Sequence, residues 1–154
     1  MGRMNDPVEL AFERIGRAAS SGARELSLRG LNFTELPNTL CIALAGLTHL
    51  EGLQMGPSAL TSLPDSFGRA VGQLSNLRSL HLEHIPLKTL PGSFSTGLKQ
   101  LTRMRELRFA FPELRYLPES FCAALKSLPV LEELTILRTP LSEFPEALSA
   151  ALAR

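Results

Sequence analysis

The stretch "LHLEHIPLKTLP", residues 80–91, carries leucine at 80, 82, 87 and 90 and closes on proline. Leu80 and Leu82 alternate with Ser79, His81 and Glu83, so the leucines project to one side of an extended chain and the polar residues to the other. The same beats recur every 27 residues without a gap. Leu26, Leu53, Leu80, Leu107 and Leu134 form one column, and Leu28, Met55, Leu82, Phe109 and Ile136 the next. Then come Phe33, Leu60, Leu87, Leu114 and Leu141, followed by Leu36, Leu63, Leu90, Leu117 and Phe144. Each member of that last column precedes a proline: Pro37, Pro64, Pro91, Pro118 and Pro145. A period that holds from Leu26 to Leu134 is the mark of a repeat architecture.

After the Leu-Pro pair the spacing changes. Phe67, Val71 and Leu74 fall at i, i+4 and i+7, as do Phe94, Leu98 and Leu101, and Phe121, Leu125 and Leu128. That is the stripe of an amphipathic helix, with proline near its start, where a missing N–H does no harm. Each unit therefore reads as strand, loop, helix, loop. One such unit has an apolar edge and nothing to bury it against, and stacking units in parallel buries all the edges in one core. The expected class is α/β.

These columns resemble the leucine-rich repeat family, with its consensus LxxLxLxxNxLxxLP. The resemblance covers residues 23–154 as five 27-residue repeats, the last incomplete. It implies a right-handed solenoid, or horseshoe, with a parallel sheet on the concave side and α-helices on the convex side. The unit is longer than the common 23-residue bacterial type, and the extra residues fall after the proline. Residues 11–37, "AFERIGRAASSGARELSLRGLNFTELP", also look like the entry of intracellular domains of this family, in which a capping helix precedes the first repeat. Here that helix is expected over residues 5–20, with Pro7 in its first turn and Val8, Ala11, Phe12, Ile15 and Ala18 covering repeat one.

The sequence departs from the family at the Asn column, which holds Leu31, Ser58, Ile85, Pro112 and Thr139. Prolines crowd the same turn at Pro57, Pro86, Pro112 and Pro140. Proline removes a donor and fixes φ, so fewer N–H groups need a partner there. The expectation is that proline and apolar packing replace the Asn ladder.

The 154 residues carry a formal net charge of +1 with both signs interspersed, so no basic stripe for nucleic acid and no polybasic membrane patch is expected. No apolar run approaches the roughly 18 residues needed to span a bilayer, and "MGRMNDPVEL" lacks the apolar region of a secretory signal. Gly2 invites acylation, but Asp6 sits where Ser or Thr is expected. Cys41 and Cys122 share a helix column three repeats apart, at least about 14 Å at strand spacing, too far for a disulfide; buried thiols in a reducing, cytoplasmic setting are expected. His81, Glu83 and His84 lack further ligands at metal spacing. "GRAVGQ", residues 68–73, lacks the glycine spacing of a dinucleotide site. No cofactor, no metal and no enzymatic chemistry is expected.

Function is sought instead in the residues between the leucines. The strand columns facing solvent are Glu25, Gly52, Ser79, Glu106, Glu133; then Ser27, Gln54, His81, Arg108, Thr135; then Arg29, Gly56, Glu83, Ala110, Leu137. Just past the strand lie Gly30, Pro57, His84, Phe111 and Arg138. The candidate partner-binding residues are His81, Glu83, His84, Glu106, Arg108, Phe111, Thr135 and Arg138; an aromatic with Arg, beside the exposed Leu137, is the composition of an interface hot spot. Phe111 has a second reading, folded back over the Pro112 turn. The expected function is a module recognising a protein partner through its concave face. By resemblance this includes bacterial effectors delivered into a host cytoplasm, or the substrate-selecting arm of a ubiquitin ligase or repeat-linked GTPase. Repeat five breaks off at "FPEALSAALAR", where Leu134, Ile136, Leu141, Phe144, Leu148 and Leu152 would share an open edge; a fragment of a larger protein or a short cap is expected, the alternatives being cover by the last helix alone or a weak dimer of the monomer through this edge.

Overall fold

The computed structural model describes residues 6–142. Helix α1, Pro7–Ser21, starts where the Asp6 carboxylate accepts the Val8 N–H at 2.9 Å and stops at Gly22, whose φ of 67° ends the helix and returns its N–H to Ala18 O. Five strands then alternate with four helices: β1 Glu25–Arg29, α2 Asn38–Ala45, β2 Gly52–Gly56, α3 Asp65–Gln73, β3 Ser79–Glu83, α4 Gly92–Lys99, β4 Glu106–Ala110, α5 Glu119–Lys126 and β5 Glu133–Leu137. The strands pair in chain order, all parallel. Their register is the sequence period itself, with Leu26 opposite Leu53, Leu53 opposite Leu80, Leu80 opposite Leu107 and Leu107 opposite Leu134.

The prolines of the Leu-Pro pairs stand one residue before the helices, at the N-caps of α2 to α5, with φ between −60° and −71°. Proline there fixes the entry angle without losing a helical hydrogen bond. The helices are short, eight or nine residues, and hold their shape by packing rather than by propensity. Leu74, Leu101 and Leu128 of the expected stripes are buried just beyond the last helical residue. Inside, Phe67, Phe94 and Phe121 stack in a ladder with ring centroids 6.2 Å apart at each step. Each buried Leu or Phe contributes about 1.5–3 kcal/mol relative to exposure, and a repeat in isolation would bury none of them fully.

Neighbouring repeats are also tied by backbone. Arg24 O accepts from the amides of Glu51 and Gly52, and the pattern repeats through Glu51, Arg78 and Arg105 to Glu132 and Glu133, at 2.7–3.0 Å. In the turns after the strands, Gly30 N–H donates to Gly56 O, Ser58 N–H to His84 O, Ile85 N–H to Ala110 O, and Phe111 N–H to the Thr139 hydroxyl at 3.1 Å. In the Asn column, the Ser58 and Ile85 amides are thus taken by carbonyls of the next repeat, the Thr139 hydroxyl accepts the Phe111 N–H, and Leu31 and Ile85 are buried in the core.

Two expectations are corrected. Phe12 is 38% exposed; the face that α1 lays on the core is Ala11, Ile15 and Ala18, with Val8 and Leu10 partly buried beside them. Phe111, placed on the solvent-facing rim by its column, is 1% exposed and stacks on Phe109 at 5.3 Å. The cause is the proline position. In repeats one and three the rim residue is exposed and the next one, Leu31 or Ile85, fills the core. In repeat four the next residue is Pro112, which is exposed, and Phe111 takes the core place instead. Phe144, Leu148 and Leu152 lie outside the described residues; Leu134 and Ile136 of β5 are half-buried.

Candidate functional site

With the helices on one side of the sheet, alternate residues of the five strands face solvent on the other. Strand β2 adds almost no side chain to this face, because its first and last residues are Gly52 and Gly56. Their places are taken by the neighbours. The Glu25 carboxylate of β1 lies where a side chain on Gly52 would be, and the backbone carbonyl of Glu83 lies where one on Gly56 would be. Gly56 also has φ 114°, a conformation that suits glycine.

Gly56, in register with Arg29, puts no side chain of its own between Arg29 and β3, and Arg29 reaches across a whole strand. Its Nη2 stands 3.9 Å from Glu83 Oε1, and from the other side Arg108 Nε stands 3.6 Å from Glu83 Oε2. Glu83 is 12% exposed between the two guanidiniums. Arg108 Nη2 also lies 3.7 Å from Glu106 Oε2, and the same oxygen is 3.1 Å from His81 Nε2. The result is one network, Arg29–Glu83–Arg108–Glu106–His81, across β1, β3 and β4. Partly exposed ion pairs of this kind contribute at most about 1 kcal/mol each to stability. The network brings five charged or polar side chains together on the solvent-facing side of the sheet, with one hydrogen bond, His81–Glu106, among longer ion pairs. Arg108 Nε is shielded from water and has no hydrogen-bond partner at this geometry, so part of its donor capacity is unused.

Four of the eight residues singled out from sequence, His81, Glu83, Glu106 and Arg108, therefore meet in one cluster. Thr135 is half-buried one strand away, in register with Arg108. His84 and Arg138 are exposed in the turns past β3 and β5, with φ of 58° and 44°. Phe111 is in the core and is no part of this face. Arg29 belongs to the network although the sequence reading does not single it out. The signal for it lies in the register: Arg29, Gly56 and Glu83 stand one period apart, and the glycine puts no side chain between the charges.

Cys41 and Cys122 are both buried and unpaired. Burial pushes both thiols above their ordinary value, opposed at Cys41 by a hydrogen bond with Ser66 and reinforced at Cys122 by the charge of Glu119. Among the described residues no three His, Cys, Asp or Glu side chains are placed to hold a metal ion. No described helix is long and apolar enough to cross a membrane.

No family model and no curated protein matches this chain. Solved structures do. The leucine-rich repeat domain of the type III effector XopL aligns over 94% of this chain and 68% of its own, at 23% identity and a TM-score of 0.50. The C-terminal domain of tropomodulin from Caenorhabditis elegans aligns over 96% of this chain and 92% of its own, at 18% identity and a TM-score of 0.57. With the parallel sheet and the 27-residue register, these likenesses show the fold: an α/β leucine-rich repeat solenoid.

Proposed function

We propose that this chain is a protein-binding module that uses the open, concave face of its sheet. The observation that carries the reading is the Arg29–Glu83–Arg108–Glu106–His81 network, which spans β1, β3 and β4 across a β2 whose end residues are Gly52 and Gly56. A face built only for solubility has no need of charged side chains paired with one another across three strands. Paired beforehand, such side chains lose less entropy when a partner docks. Thr135, His84 and Arg138 extend the contact surface toward the last repeat and the turns. The five strands span only about 19 Å, and a stable complex covers about 800 Å² per partner, so a partner must engage most of this face and its rim.

The test is capture of a partner from cell extract, followed by titration of the purified partner by calorimetry. Arg108→Ala and Glu83→Gln should each weaken binding about tenfold or more, while Arg17→Ala, on the outer side of α1, should leave it unchanged. Equal affinity for wild type and both network variants would refute the reading.

The same face would serve an effector acting on a host protein in the host cytoplasm, or the substrate-selecting arm of a larger enzyme such as a ubiquitin ligase or GTPase. The likeness to the XopL domain is one of fold and does not choose between them. The fate of the captured partner does: ubiquitination that depends on Arg108 would mark the arm of a ligase, and simple sequestration would mark a binding module.

A further inference from the structure

A second charged cluster lies away from the proposed interaction face, where the chain passes from helix to strand. There Arg78, Arg103 and Arg105 line a shallow concavity together with Thr102 and Val130. Arg78 and Arg105 occupy the same position in successive repeats, and the Arg105 and Glu106 amides donate to Arg78 O at 2.8 and 3.0 Å, which fixes the two residues side by side. Elsewhere in this column the chain sets arginine against glutamate: Arg24 lies 3.8 Å from Glu51, and Arg105 lies 3.4 Å from Glu132. Between Arg78 and Arg105 it sets like charge against like.

Two carboxylates flank the pair in this column: Glu51, whose carbonyl accepts from Arg78 N–H and whose side chain pairs with Arg24, and Glu132. Glu132 is 66% exposed and its bond to Arg105 is screened by water. Arg103 is held by Asn76 Oδ1 at 3.0 Å, a neutral acceptor that positions the guanidinium without neutralising it. Arg78 has no ion pair among the described residues. Guanidinium forks match phosphate oxygens in pairs, Thr102 adds a hydroxyl donor, and Val130, 42% exposed, offers an apolar flank.

We infer that Arg78, Arg103 and Arg105 form a site for a phosphate monoester, carried by a small molecule or by a lipid headgroup. The site is independent of the concave-face reading. The test follows the backbone amide resonances of residues 102–105 in the full chain as inorganic phosphate is added, with chloride at matched ionic strength as reference. Saturable shifts specific to phosphate are expected. They should weaken about tenfold or more in Arg78→Gln and Arg103→Gln and stay unchanged in Arg17→Gln, with circular dichroism confirming that each variant is folded. In a second arm, phosphatidylcholine vesicles with and without phosphatidic acid are sedimented with the protein. Co-sedimentation that requires phosphatidic acid and is lost in Arg78→Gln assigns the phosphate to a lipid headgroup; phosphate shifts without co-sedimentation assign it to a small molecule. Identical shifts with chloride, variants that respond like wild type, or no response in either arm would overturn the site.

Discussion

The carbonyl oxygen of Gly68 in α3 stands where the first side-chain carbon of residue 97 in α4 would be, and only because that residue is Gly97 do the two helices meet at backbone distance. Backbone on the far side cannot rotate away as a side chain can. Gly97→Ala is therefore expected to destabilise the protein by about 1–3 kcal/mol through forced separation of the helices. Gly16→Ala, in the middle of α1 with nothing within 4 Å of the added carbon, should stabilise it by about 0.5–1 kcal/mol. Thermal unfolding followed by circular dichroism measures both, and a neutral Gly97→Ala would show that α3 and α4 are not held this close.

Phe94 is the central rung of the ring ladder, 6.2 Å from both Phe67 and Phe121 and 6.4 Å from Phe109. Its removal empties a site shared by three repeats. Phe94→Ala should cost about 3–5 kcal/mol, while Phe12→Ala, on the exposed side of α1, should cost less than about 1 kcal/mol. In urea unfolding, the larger loss should appear as a lowered midpoint. A small loss at Phe94 would mean that the solenoid collapses readily around the gap.

The strand register was legible because the leucine period and the parallel pairing are the same fact seen twice: a repeat of 27 residues places Leu26, Leu53, Leu80, Leu107 and Leu134 opposite one another. The close approach of Gly68 and Gly97 was not, because a contact made by absent side chains leaves no apolar signal. The glycines of "GRAVGQ", which lack the spacing for a nucleotide, serve packing instead: Gly68 and Gly72 both lie against Gly97. The burial of Phe111 needed attention to where the proline falls inside the turn as well as to its presence. Within the candidate face, columns identified the charged side chains, but which of them touch depends on Gly56, across which Arg29 reaches Glu83.

The rim residues of repeats one, three and five share a left-handed backbone, with φ of 76° at Gly30, 58° at His84 and 44° at Arg138. A side chain there costs about 1–2 kcal/mol, part of which glycine gives back as unfolded-state entropy. His84→Gly should accordingly stabilise the fold by about 0.5–1 kcal/mol. The same change at Lys99, in the last turn of α4, should destabilise it by up to about 1 kcal/mol. If His84→Gly also weakens partner binding while raising the melting temperature, His84 is kept for contact at the expense of stability. If it lowers the melting temperature, the left-handed turn is not the source of strain.

Cys41 and Cys122 give the fold an alkaline limit. Burial raises both thiols above their ordinary value in the folded chain, so as pH rises through the thiol range the unfolded chain releases these protons before the folded chain does. Stability falls with pH wherever the unfolded state binds fewer protons. The contribution is therefore fully present below about pH 9 and is lost as pH rises through the folded values. A Cys41→Ala/Cys122→Ala variant should lose some stability at neutral pH from the emptied volume, yet show a flatter decline than wild type as pH rises into the alkaline range. Denaturant titrations at half-unit pH steps compare the two slopes. In parallel, a thiol reagent at about pH 8 should label the native protein slowly and the denatured protein at once. Parallel pH profiles for variant and wild type, with rapid labelling of the native protein, would mean that the two thiols are reached by solvent.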